Sequence, residues 1–248
     1  MIVNHVGKEI ELIKQHEHAR LSCMIAEHWQ KEHFPSSDYR EDILYAARHH
    51  DRAWIPLDQE LLWNPQTNSP YDFTSYPFQE KLSAYTNGID EVEAETAFGA
   101  ILCSKHYSSF FQKKKDQPAM IDRFLEQENA RQNRLRQQVG IHNENQLEQA
   151  FKLLQFCDDL SLYACMNAPG TAKADEVPWF REGFRQRFSF APHGLMAEWM
   201  NEQDIRVTPF PFKQIFAYEI PFKKILKHED TEMTLPKKDF IKKIQFVP

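Results

Sequence analysis

His50-Asp51 is the dipeptide in this chain best suited to chemistry, because an imidazole beside a carboxylate offers two ligand types that divalent cations accept. At about 100° per residue along a helix, His50 falls on the stripe of Ile43, Ala46 and Ala47, so it points inward with Asp51 flanking it. Alone, the dipeptide is equally compatible with a core histidine satisfied by a backbone carbonyl and a helix-end carboxylate in water. Two more residues add weight. His18 precedes Leu21 and Ile25 by three and seven residues, which puts it on an apolar face. Asp158 lies within the stripe of Leu147, Phe151, Leu154 and Cys165, with Asp159 about 100° away. An inward carboxylate costs several kcal/mol unless it faces a cation or is strongly hydrogen-bonded. One divalent cation held by His18, His50, Asp51 and Asp158 accounts for all four placements; the alternative is a hydrogen-bonded His-Asp network without metal.

These residues need helices to hold them. The pattern predicts a strand or irregular segment over Ile2 to Ile13 and a first helix over Gln15 to Glu32, ended by Pro35 and the Ser36-Ser37-Asp38 cluster. A second helix follows from Tyr39 to Trp54. Pro56, Pro65, Asn68, Ser69 and Pro70 then announce a long irregular connection of the kind that often carries function. A third helix, Asp90 to Phe111, is apolar nearly all round and reads as central. Lys113-Lys114-Lys115 marks a solvent-facing break, and Ala119 to Val139 reads as an exposed, charge-laced helix. Asn145 to Met166 reads as a last long helix stopped by Ala168-Pro169-Gly170. Beyond it the short aromatic and β-branched runs Phe188-Ser189-Phe190, Ile205-Arg206-Val207, Phe210-Pro211-Phe212, Ile215 to Tyr218 and Ile241 to Val247 predict several short antiparallel strands. No Gly/Ser-rich linker precedes them, so the expectation is one domain over 1–248, with a helical core over 1–170 and a β-containing extension over 171–248 packed on it.

Composition removes several function classes. A net charge of −6 lacks the basic excess that an extended nucleic-acid site requires. Polar residues interrupt every apolar run before it reaches the length of a signal peptide or membrane span, so the expected location is the cytoplasm. The 7 glycines form neither a dinucleotide fingerprint nor a P-loop. Cys23, Cys103, Cys157 and Cys165 lack zinc-ribbon spacing and read as small core residues.

The series His18, then His50-Asp51, then Asp158 within Cys157-Asp158-Asp159-Leu160-Ser161, each on its own helix, resembles the HD-domain superfamily of metal-dependent phosphohydrolases. More closely, Gln15-His16-Glu17-His18-Ala19, His49-His50-Asp51-Arg52-Ala53-Trp54, Ser104-Lys105-His106-Tyr107-Ser108 and Phe210-Pro211-Phe212 resemble an uncharacterised bacterial family of HD-like proteins over most of the chain. The resemblance implies a mainly α, HD-like helical bundle in which these four side chains bind one ion, commonly manganese, magnesium, nickel or iron. The chain departs from the usual pattern in placing Arg52-Ala53-Trp54 between the His-Asp pair and Asp58, so no substrate class follows from the resemblance.

Several neighbours have expected roles. His106, on the side of the third helix shared with Gly99, Cys103 and Phe110, is either a second-metal ligand or phosphate donor or a core histidine. Trp54 and Asp58 open the loop after the ligands and can wall the site, Asp58 as a general base or as a solvated carboxylate. Arg52 either clamps a phosphate or pairs with an acid. His49 faces away as an outer-shell group, Lys105 is a snorkelling lysine, and His193 is too remote to include. The expected activity is hydrolysis of a phosphate ester or nucleotide, with Asp51 or Asp58 receiving the proton. Two other classes stand beside it: an iron-dependent oxygenase using His106, and a non-enzymatic module binding a metabolite or protein through residues 119–139. The partner expected is a small phosphate-containing molecule, not long nucleic acid or membrane; homo-oligomerisation is left open.

Overall fold

The first thirteen residues fold back on themselves: β1 (Ile2–Val6) and β2 (Glu9–Ile13) form an antiparallel hairpin pairing Ile2 with Ile13 and Val6 with Glu9. Gly7 makes the turn with φ of 59°, a left-handed conformation that a side chain would disfavour. The computed structural model of the chain describes residues 1–36, 38–111, 117–141, 143–226 and 235–248. Lys113-Lys114-Lys115 and Ser37 of the capping cluster lie outside the described residues.

The helices follow in the order α1 (Gln15–His28), α2 (Arg40–His49), a single turn α3 (Trp54–Leu57), α4 (Phe78–Glu93), α5 (Ala97–Ser109), α6 (Ala119–Val139) and α7 (Glu144–Met166). α1, α2, α5 and α7 pack on one another in a bundle. α5 is buried on every side from Phe98 to Cys103, as its continuous apolar sequence requires. The predicted third helix is two helices. Thr96 ends the run because its hydroxyl accepts from Gly99 N–H at 3.0 Å, capping α5, and donates to the Asp42 carboxylate. The connection after Trp54 carries a two-stranded ribbon, β3 (Trp63–Asn64) with β4 (Ser69–Pro70), and then the whole of α4.

The expectation of a mainly α bundle with a few short antiparallel strands is overturned by a six-stranded mixed sheet. Four further strands, β5 (Met196–Trp199), β6 (Asp204–Thr208), β7 (Phe216–Leu226) and β8 (Phe240–Val247), join the hairpin in the order β1-β2-β7-β8-β6-β5. β6 and β8 are parallel; the other neighbours are antiparallel. β7 is eleven residues long and runs through Pro221, which pairs with Ile241 on β8 but lies before the stretch Lys223–Leu226 that pairs with β2. A proline lacking an N–H is tolerated where only one edge of the strand is occupied. The sheet thus joins strands from both sides of residue 170, with α1 against β7 and α7 against β1.

One continuous core extends from Ile2 to Phe246 across bundle and sheet. Trp29 at the end of α1 is its aromatic junction, with Phe156, Phe188, Phe190 and Phe212 rings 5.1 to 6.1 Å away. All four cysteines are free and buried. Among the described residues no helix is long and apolar enough to cross a membrane.

Candidate metal centre

Four helices deliver the cluster. His18 comes from the buried face of α1, between Gln15 and Leu21. His50 caps the C-terminus of α2 and Asp51 begins the turn that leads to Trp54. His106 comes from α5 and Asp158 from α7. Gly88 on α4 lets this turn sit close: a Cβ there would stand 2.8 Å from the N, Cα and Cβ of Ala53. His18 and His50 are fully buried, whereas Asp51 and Asp158 are 4% and 6% exposed, so of these four it is the carboxylates that reach the open space above.

His50 Nδ1 lies 2.9 Å from the Ala47 carbonyl oxygen, which can only accept, so Nδ1 carries a proton and Nε2 is the nitrogen turned to the site. That Nε2 is 3.3 Å from Asp158 Oδ1 and 4.0 Å from Asp51 Oδ2, and it has no hydrogen-bond partner among the described residues. His18 Nδ1 lies 2.8 Å from Ser161 Oγ, and the tautomer sets which of the two donates. His18 Nε2 is 2.7 Å from Asp51 Oδ2, a carboxylate oxygen that accepts, so in the ion-free protein Nε2 is the donor. Two imidazole nitrogens and two carboxylates face one another, an arrangement that needs protons or positive charge among them. Ring protons supply this in the ion-free protein; a divalent cation that displaced them would meet four donors of the right chemistry. The side chains present therefore fit a divalent ion.

His106 extends the set. His18, His50 and Asp51 have ligand atoms within 4.8 Å of one another, and so do His50, His106 and Asp158, so the two triplets share His50. His106 Nδ1 is buried without a hydrogen-bond partner among the described residues, and its ring stands edge-on to His50 with centroids 4.9 Å apart.

The electrostatics follow from burial and charge. Burial pulls His50 down, but Asp51 and Asp158 outweigh it and raise it to about 9. Burial pushes Asp158 up, but the His50 contact and the His106, His50 and His18 charges outweigh it and hold the carboxyl below its ordinary value. Asp51 is lowered in the same way against burial, chiefly by His50 and His18. Burial lowers His106 to about 4, so its ring is neutral at physiological pH and retains a free lone pair. Burial and the neighbouring Asp158 raise Asp159 to about 6.

Asp51, His106 and Asp158 form the floor of a cavity of about 1050 Å³, and Trp54 is part of its wall. Asp58 is not where the sequence put it. It is 3% exposed, accepts from Gln15 N–H at 2.7 Å and meets the Met1 ammonium at 2.7 Å, and it does not line the cavity. With both oxygens engaged in anchoring the start of α1, it is unsuited to act as a base. Arg52 pairs with Glu91 at the surface and takes no part in the site. His49 lies against Tyr45 and His16, with ring centroids at 4.3 and 5.9 Å, outside the cluster. His193 is exposed, and Lys105 lies over the Phe151 ring at 5.1 Å.

Sequence reasoning missed Ser161 and Asp159. Ser161 follows Asp158 by three residues on the same helical face, a signal that could have found it. Asp159 faces the cavity beside Arg185 and Gln186, residues that arrive from a distant segment no local pattern announces. No curated protein and no solved structure matches the chain. A family model does match, over residues 1–227, and by that match the chain belongs to the family described as protein of unknown function (DUF3891).

Proposed function

We propose that this chain is a metal-dependent hydrolase acting on a phosphate ester or nucleotide, on a site of HD type. The observation that carries the reading is a convergence: His18 and His50 both turn Nε2 toward the Asp51 and Asp158 carboxylates on the floor of a large cavity. His18, His50, Asp51 and Asp158 would hold manganese, magnesium, nickel or iron. Such an ion supplies Lewis acidity toward a phosphoryl oxygen and makes water nucleophilic near neutral pH. Ser161 and the Ala47 carbonyl engage Nδ1 of the two rings, which leaves each Nε2 as the ligand atom. Asp51 faces the cavity and can take the proton released when water attacks phosphorus and the P–O ester bond breaks; neutral His106 is the alternative acceptor. Four free cysteines suit a cytoplasmic location.

A second reading has its own support. His106 Nδ1, unpartnered among the described residues, adds an imidazole to the set, which suits an iron-dependent oxygenase. Visible absorbance of the purified protein separates the two.

The test is elemental analysis of untagged wild type beside Asp158→Ala, followed by a phosphate-ester screen with the ion found. Stoichiometric transition metal in the wild type, its loss in the variant and ion-dependent phosphate release would support the proposal. Wild-type protein that neither contains nor takes up manganese, nickel or iron would overturn it.

A further inference from the structure

The cavity above the cluster is far larger than a phosphate requires. Its volume of about 1050 Å³ matches the upper end of sites for drug-sized ligands. The floor is ionic, but most of the wall is aromatic or aliphatic. Three wall residues, Phe78, Phe110 and Trp179, are 48%, 48% and 56% exposed. They arrive from separate segments: the first residue of α4, the C-cap of α5 and the turn at 178–180. Large aromatic rings brought from three directions to one rim and left in water mark a binding surface. The apolar wall is also continuous with the floor, because the Phe110 ring stands edge-on to His106 with centroids 4.7 Å apart.

Lys81 is the second observation. It lies one helical turn after Phe78, lines the same cavity and is 6% exposed. Its Nζ donates to a neutral group, the Phe73 carbonyl at 3.2 Å, and sits 4.9 Å from the Phe78 ring centroid. Asp72 acts on it from beyond ion-pair contact. A nearly buried ammonium with no contacting anion among the described residues, facing an open cavity, is a place for a ligand's negative charge.

We infer that the cavity receives an amphiphilic anion: a phosphate monoester whose alcohol part is a fused aromatic or similarly large apolar group, lodged against Phe78, Phe110 and Trp179, with its charge shared between Lys81 and the cluster. The ester half of this statement rests on the hydrolase reading; the apolar half stands on the wall itself.

The test is calorimetric titration of the full chain, with manganese present, using two non-hydrolysable probes, 1-naphthylphosphonate and methylphosphonate. Phosphate release from 1-naphthyl phosphate and methyl phosphate is measured in parallel. The naphthyl probe should bind on the order of 100-fold more tightly than the methyl probe. Phe110→Ala and Trp179→Ala, at exposed positions that the fold tolerates, should each weaken the naphthyl probe about tenfold and leave the methyl probe unchanged. Lys81→Met should weaken both probes, and Lys81→Arg should restore them. Equal binding of the two probes, or rim variants without effect, overturns the inference even if both esters are hydrolysed. Tight, rim-dependent naphthyl binding without release of phosphate upholds it and counts against the hydrolase reading.

Discussion

Replacing Ser161 by alanine tests the argument on which the candidate metal centre rests. The hydroxyl contacts His18 Nδ1, Ser22 Oγ and the Asp158 carbonyl, each at 2.8 Å, in a fully buried position. Its removal leaves the buried His18 Nδ1 without its partner, a penalty of about 2 kcal/mol. For a chain of this length that corresponds to a fall in Tm of about 4–8 °C. The more specific effect is on the ion. Without Ser161 nothing in this contact set holds Nδ1, so the ring is free to turn and withdraw Nε2 from the site. Loss of such an orienting partner typically reduces metal affinity by about 10–100-fold. Ser22→Ala is the control: it deletes the contacts with Ser161 and with the Cys157 carbonyl at 3.2 Å but leaves the Ser161 partner of His18 intact. It should cost about 1 kcal/mol and change manganese affinity by less than about threefold. Differential scanning calorimetry reads the first quantity and isothermal titration with manganese the second. A Ser161→Ala protein that is destabilised but binds manganese as tightly as wild type would refute the orienting role of Ser161.

Four other outcomes follow from the structure. In ion-free protein His50 is raised to about 9, so the stability it contributes is complete below its ordinary value of 6.5 and lost as pH rises through about 9; thermal melts in EDTA across this window check the fall. Because an entering ion must displace that proton, manganese affinity should rise up to about tenfold per pH unit toward pH 9, and a flat pH profile in titration calorimetry would contradict the His50 assignment. Gly88→Ala should destabilise by about 1–3 kcal/mol, because the new methyl group meets Ala53 backbone at 2.8 Å, and should reduce bound metal by displacing the turn that carries Asp51; Tm and metal content measure the two effects. Asp58→Asn should lower Tm through the weakened contact with Gln15 N–H while leaving metal content and turnover unchanged, and a selective loss of turnover would return Asp58 to a catalytic role.

The helical part of the fold was legible because its information is local. Periodicity gives α6 its observed bounds and brings α7 within one residue of its start, and polar residues on apolar faces single out His18, His50 and Asp158, which the fold brings together. What was illegible depends on partners remote in sequence. The pairing of β2 with β7 joins Glu9 to Leu226, and nothing in either strand announces the other. The strand expected over Ile215 to Tyr218 continues to Leu226 through Pro221, whose tolerance depends on which edge of β7 is occupied at that point. The break between α4 and α5 falls among good helix formers and is fixed by Thr96 bonding to Asp42 on another helix. Asp58 looked available for the same reason: its use as an anchor for α1 becomes visible only when the two segments meet.

The strand order imposes a schedule on synthesis. All four proposed ion ligands have been made by residue 158, whereas β2 cannot acquire its second neighbour until β7 is complete at residue 226. At about 5–20 residues per second, the hairpin waits roughly 10–40 s after its own synthesis with one edge uncovered. Until then it is a template for pairing with neighbouring chains, and each nascent chain is most vulnerable to aggregation on the ribosome in the interval before its last two strands emerge.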